Sequence, residues 1–247
     1  LLKTSVLERM TAPLCNAVMG GTDSQTMLMR LDRANLFLIP LDDERRWYRY
    51  HHLFADLLRS RLERTQPDQV PAIHRRAGEW YAQDGMITEA VRHLLLAGDV
   101  EKVADLLEGN ALAMMDRGEL KSLVKSLDVL PDEVMRSRPW LSVAHAWVLA
   151  YVGQFGAVEP RLQDAERASH IREGRAEIHH VAGHIAAIRG YGAALKGDIS
   201  RAADLARSAL EHLPEEDLRA RGVAAAVLGG ALKESGNLLA AAQALDR

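Results

Sequence analysis

Apolar positions along this chain recur in two different rhythms. Leu7, Met10, Leu14 and Val18 repeat at steps of three or four, which predicts a helix over residues 5–18. Gly20-Gly21 ends it in the manner of a left-handed cap, and Asp23 or Ser24 caps a second helix running to about Ala34. Residues 36–41 then form an unbroken apolar run, Asp42-Asp43-Glu44 reads as a turn, and residues 46–50 are aromatic and extended. Those two stretches predict a β-hairpin. Leu53, Leu57, Leu58 and Leu62 place an apolar stripe along a third helix, and Pro67 and Pro71 bracket a boundary.

Beyond Pro71 the strand signals vanish and a repeat takes over. Gly85, Gly118, Gly153, Gly197 and Gly236 are spaced by 33, 35, 44 and 39 residues. A small or apolar residue stands about seven and four positions before a glycine, and apolar residues about five and nine after it. For Gly85 these are Gly78, Tyr81, Ala90 and Leu94; for Gly153, Ala146, Leu149, Val158 and Leu162; for Gly197, Gly190, Ala193, Ala202 and Ala206. Such a unit is two antiparallel helices joined by a tight turn that needs a left-handed residue. Small residues at the crossing let the backbones approach, and Pro131 and Pro214 close units because proline cannot continue a helix.

The expected fold is therefore mainly α, in two regions. Residues 1–66, in the order helix, helix, hairpin, helix, read as a small winged-helix-like module. Residues 67–247 read as an α-solenoid of helix pairs resembling tetratricopeptide repeats, whose period is about 34 residues. The drift to 39 and 44 points to a looser relative with longer helices. A stack of such pairs offers a concave binding surface.

Composition narrows the function classes. The 247 residues are 48% hydrophobic and 26% charged, an ordinary globular balance. A net charge of −3 gives no global attraction for nucleic acid or acidic lipid. The single cysteine, Cys15, cannot form an internal disulfide, fits a reducing, cytoplasmic compartment, and reads as inert filling. No signal sequence opens the chain and no apolar run reaches membrane length; the longest, at 223–232, stops at Lys233. The first residue is not Met and the last, Arg247, falls within a periodic segment, so the chain is expected to be part of a longer protein.

Candidate chemistry is sparse. The glycines at 20–26 lack the lysine of a phosphate loop, and there is no nucleophile elbow, paired-cysteine motif or zinc-protease helix motif. At 177–184, Glu177, His180 and His184 line one helix face, yet no third strong ligand or supporting shell is evident. They read as a polar face, and no metal is expected. Trp140, His145, Trp147 and Tyr151 follow the helix-starting Pro139. This stripe either fills the space between helices or, through Trp140, Trp147 and Tyr151, touches a ligand. Arg136 and Arg138, and Arg59, Arg61 and Arg64, read as solvated basic faces.

Three stretches carry a family resemblance: LLKTSVLERMTAPLCNAVMGG at the start, LFLIPLDDERRWYRYHHLFADLLRSRL from Leu36, and LDVLPDEVMRSRPWLSVAHAWVLAYVGQF at 127–155. They resemble the large LuxR-type, ATP-dependent transcriptional regulators of the MalT-like group. That resemblance implies a four-part signalling protein: an ATPase domain of the STAND class, a winged helix, a superhelix of repeats that senses an inducer, and a DNA-binding helix-turn-helix domain. This chain would supply the middle two parts. ATP or ADP would be bound by the ATPase domain, not by this fragment, and DNA contacted only through the last domain. The implied partners are the ATPase domain of the same protein, a small-molecule or protein inducer, and further copies on activation.

The resemblance also gives the histidine pair at 51–52 a role. Tyr50-His51-His52-Leu53 stands where the family has a Met-His-Asp-Leu type motif, so His51 takes the place of a histidine that approaches the ADP phosphate, while His52 replaces an acid. Arg49 can assist if it projects opposite to Tyr48 and Tyr50. An imidazole at a helix N-terminus suits an anionic phosphate. Three rivals stand beside this regulatory, non-enzymatic reading. One is a repeat scaffold that only holds protein partners, and another a hydrolase or metalloenzyme using the histidines. The third, a winged helix that itself reads DNA, is disfavoured by the acidic hairpin tip.

Overall fold

The computed structural model describes residues 1–34, 36–169, 175–236, 240–241 and 244, with side chains throughout except at 175–177. Two compact units divide the chain, Leu1–Leu107 and Glu108–Arg247. The fold is a winged helix followed by a solenoid of helices. Among the described residues no helix is long and apolar enough to cross a membrane.

In the first unit a short 3-10 turn, Lys3–Val6, precedes α1 (Ala12–Met19) and α2 (Ser24–Arg33). The expected helix over 5–18 is thus divided. Thr11 caps α1, its hydroxyl accepting the Leu14 N–H at 3.3 Å, and Pro13 sits in the first turn, where its missing N–H costs nothing. Met10, counted with the helix by its spacing, instead pairs with Tyr48, through backbone bonds of 2.7 and 2.9 Å. Gly20 closes α1 at φ 73, the left-handed cap that the sequence predicts.

Strands β1 (Leu38–Pro40) and β2 (Tyr48–Tyr50) form the antiparallel hairpin, with Ile39 opposite Arg49. Asp42 shapes its turn by accepting the Arg46 N–H at 2.8 Å. Helix α3 (His52–Thr65) follows, but its four leucines do not form one stripe. Leu58 and Leu62 are buried, whereas Leu53 and Leu57 are 68% and 62% exposed. At 3.6 residues per turn, the two pairs point about 140° apart, so a spacing count merged two faces. The core joins Met10, Leu14, Leu28, Leu38, Tyr48 and Leu62 to Ile73, Ala77 and Tyr81. The last three lie on α4 (Val70–Gln83), which packs against α5 (Ile87–Leu96).

Helix α6 (Val100–Asp116) runs across the division between the units. The second unit continues with α7 (Leu120–Asp128), α8 (Asp132–Ser137), α9 (Pro139–Tyr151), α10 (Phe155–Ser169), α11 (Arg175–Leu195), α12 (Ile199–His212) and α13 (Leu218–Glu234). Helix α9 packs on α10, α11 on α12, and α12 on α13. All five predicted turn glycines adopt positive φ, between 75 and 83°, and Gly98, which the spacing missed, turns α5 into α6 in the same way. The 21 residues of α11 account for the widest spacing, 44, between Gly153 and Gly197.

The crossing of α4 and α5 is as close as its small residue requires. A Cβ on Gly78 would lie 2.7 Å from the Leu94 side chain and 3.2 Å from the Ala90 carbonyl. Both were singled out by the repeat pattern. Arg138 departs from its expected solvated role: its side chain is 15% exposed and pairs with Glu108 at 2.9 Å. Parts of the expected repeat region at 170–174, 237–239 and 245–247 lie outside the described residues.

Candidate functional site

Two places bring together side chains that the sequence singled out. The first is the junction of hairpin and α3. Arg49 is exposed between buried Tyr48 and Tyr50, as strand alternation requires. His51 occupies the N-cap position of α3. Its N–H donates to the Phe37 carbonyl at 2.7 Å, and its carbonyl accepts from Phe54 and Ala55. The His51 side chain makes no capping bond; its half-buried ring lies 4.4 Å from that of His52. Phe37 holds φ at 54°, a left-handed conformation costly for an aromatic residue, and stacks on Phe54 at 4.8 Å. An imidazole therefore stands at the positive end of a 14-residue helix.

The second place lies in the unit 108–247. Trp140 and Trp147 are seven positions apart, two turns on one face of α9, and both line a cavity of about 240 Å³ with Ala111, Leu112, Val143 and Ala144. His180 and His184, one turn apart on α11, close its polar end together with Asp217. The edge-on contacts of Trp140 with His180 and His184 have ring centroids 4.6 and 5.2 Å apart. Tyr151 is not in this wall; it backs Trp147 by stacking at 5.5 Å and meets Tyr191. His145 leaves the stripe, being 3.2 Å from Asp128. The Glu177 side chain lies outside the described residues.

Asp217 is the residue that the sequence reading missed. It caps α13, one carboxylate oxygen accepting the Ala220 N–H at 3.1 Å. The other oxygen lies 2.9 Å from Nε2 of His180 and 2.8 Å from Nε2 of His184. Burial alone would raise this carboxyl, but the bonds from His184, His180 and Ala220 outweigh it and hold the group well below the usual carboxylate range. The only local signal is a capping aspartate before a helical stretch, which says nothing of histidines 33 and 37 positions away.

Trp147 decides the proton arrangement. Its indole N–H, fully buried, donates to Nδ1 of His184 at 3.0 Å. An indole nitrogen can only donate, so Nδ1 accepts and the neutral ring carries its proton on Nε2, aimed at Asp217. A chain of polarised bonds thus runs from α9 through α11 to the cap of α13. Cys15, by contrast, is chemically silent, because burial pushes its thiol up to about 12. With this geometry in place, the comparison with known families bears on the hairpin module: residues 1–70 match the family model of the MalT winged helix domain, to which the first part of this chain is similar.

Proposed function

We propose that the chain is a non-enzymatic, regulatory segment of a MalT-like transcriptional regulator of the LuxR type. The winged helix reads the nucleotide state of a STAND-class ATPase domain, and the helical pairs, of tetratricopeptide-like kind, receive an inducer. The observation that carries the reading is the match of residues 1–70 to the MalT winged helix domain. The junction supports it physically. His51 stands at the N-terminus of α3 beside exposed Arg49, where an anionic phosphate is favoured by both dipole and charge. Phe37, Leu53 and Leu57, at 56%, 68% and 62% exposure, offer apolar surface suited to a packed neighbour.

In this reading ADP favours a closed form in which His51 contacts its phosphate. ATP and inducer together favour an open, self-associating form. DNA is engaged only by a separate helix-turn-helix domain. The cavity walled by Trp140 and Trp147 is the place where an inducer meets the helical pairs, with Tyr151 supporting Trp147.

The test uses protein that carries the nucleotide domain as well. His51→Ala is expected to weaken ADP binding by about tenfold, the scale of one charge-assisted hydrogen bond, and to raise activity in the absence of inducer. ADP affinity equal to that of the unaltered protein would remove the proposed contact.

A further inference from the structure

We propose that His180, His184 and Asp217 form a binding site for a divalent first-row transition ion of the zinc, cobalt and nickel kind, and that Trp147 sets its affinity. The ligand set is two imidazoles and a carboxylate, on α11 and at the start of α13. Three atoms held on one such ion, about 2.0–2.2 Å from it, lie about 3 Å apart when they meet at right angles and about 3.4 Å apart in a tetrahedron. Here Nε2 of His180, Nε2 of His184 and Oδ2 of Asp217 are separated by 2.9, 2.8 and 3.3 Å. An ion can sit against all three without moving the backbone.

Three further features fit an ion. The His180 ring is 30% exposed, which provides an entry, and the positions not taken by the protein open on the cavity of about 240 Å³. Asp217 supplies a full negative charge, whereas the carboxylate of Glu108 in the same wall is paired with Arg138. Two histidines with one carboxylate, leaving open positions, suit borderline divalent ions rather than calcium or magnesium.

Trp147 makes this an exchangeable site. Without an ion, Nε2 of His184 holds a proton and Nδ1 accepts from the indole. When the ion takes the Nε2 lone pair, that proton moves through solvent to Nδ1 and the imidazole stays neutral. The Nδ1–H then faces the indole N–H, two donors with nothing to accept. The ion binds at the expense of the Trp147 hydrogen bond, so occupancy is coupled to α9 as well as to the cap of α13.

The test is a titration of the purified chain with Co²⁺, followed by its visible absorption, and with Zn²⁺, followed by equilibrium dialysis and elemental analysis. One equivalent of Zn²⁺ that displaces Co²⁺ is expected. His180→Gln and Asp217→Asn, the latter keeping the capping oxygen, are each expected to weaken binding by tenfold or more. Trp147→Phe is expected to tighten it by about tenfold, the value of one buried donor left opposed. Should Trp147→Phe fail to fold by circular dichroism, His180→Gln carries the decision, since that ring is partly exposed. No stoichiometric Zn²⁺ at millimolar concentration, or uptake that is the same in His180→Gln and Asp217→Asn, overturns the site.

Discussion

Helices α4 and α5 cross over one pair of buried histidines, and α11 carries a second pair, His184 buried and His180 partly exposed, yet the two pairs are wired oppositely. In the first, Nδ1 of His74 lies 2.9 Å from Nδ1 of His93, with Arg92 donating to Nε2 of His93 at 3.2 Å and Tyr81 stacked on the ring. The charges acting on this pair are all positive, so burial first, then Arg92 and Arg59, push His74 down to about 4. Burial, Arg92 and His74 push His93 down to about 3. In the second, a carboxylate and a cavity replace the arginine and the stacked ring. The teaching is that burial alone makes a histidine a polar core residue. A facing acid, with room beside it, makes it a ligand or a relay.

The sharpest way to break this contrast is at the indole donor of the second pair. Trp147→Ala removes a fully buried indole and its bond to His184, and is expected to cost about 3–5 kcal/mol in urea unfolding. Trp147→Phe should retain more than half of that.

Acid separates the pairs next. The folded values of His74 and His93 lie below the unfolded value of 6.5, so the unfolded chain takes up protons first. Their contribution is complete above about pH 6.5, and declines as pH falls, levelling off near about 3–4. Asp217, held below its ordinary 3.8, keeps its contribution until pH falls below that value. Amide exchange at pH 5 should therefore accelerate in α4 and α5 while the first turn of α13 stays protected. Simultaneous loosening would mean that the two clusters do not differ as described.

The smallest effect concerns the packing around the second pair. A Cβ on Gly183, next to His184, would lie 2.8 Å from the Leu213 side chain and 3.0 Å from its backbone nitrogen. Gly183→Ala is expected to cost about 1–3 kcal/mol. Gly190, two turns further along α11, has no neighbour closer than 3.4 Å. Gly190→Ala should be neutral or stabilise by up to about 1 kcal/mol, because a helical glycine gives up more backbone entropy. Thermal midpoints of the two variants measure the difference.

The legibility of the chain follows from the range of the forces involved. Turn glycines, the Gly20 cap and the small residue at Gly78 are readable, because backbone conformation and helix spacing are local, whereas Gly190 stands where a methyl group would also fit. The start of α1 was misplaced because Pro13 and Thr11 outweighed a weak apolar period. The four leucines of α3 were merged because a run of similar steps does not fix an angle. At the candidate site, the histidine pair was legible as spacing four on a helix, but Asp217 was not. It reaches the site only through the packing of α13, and no periodicity in the sequence encodes that meeting.

The bridge between Met10 and Tyr48 has a kinetic meaning. Most helix pairs here close over a turn of a few residues, so their formation is local and fast. The bridge spans 38 positions and encloses α1 and α2, so the loop-closure entropy must be offset by helices already in place. The winged helix should accordingly be the slowest part of the chain to acquire protected amides. A newly made molecule would then hold formed helical pairs before its hairpin is complete.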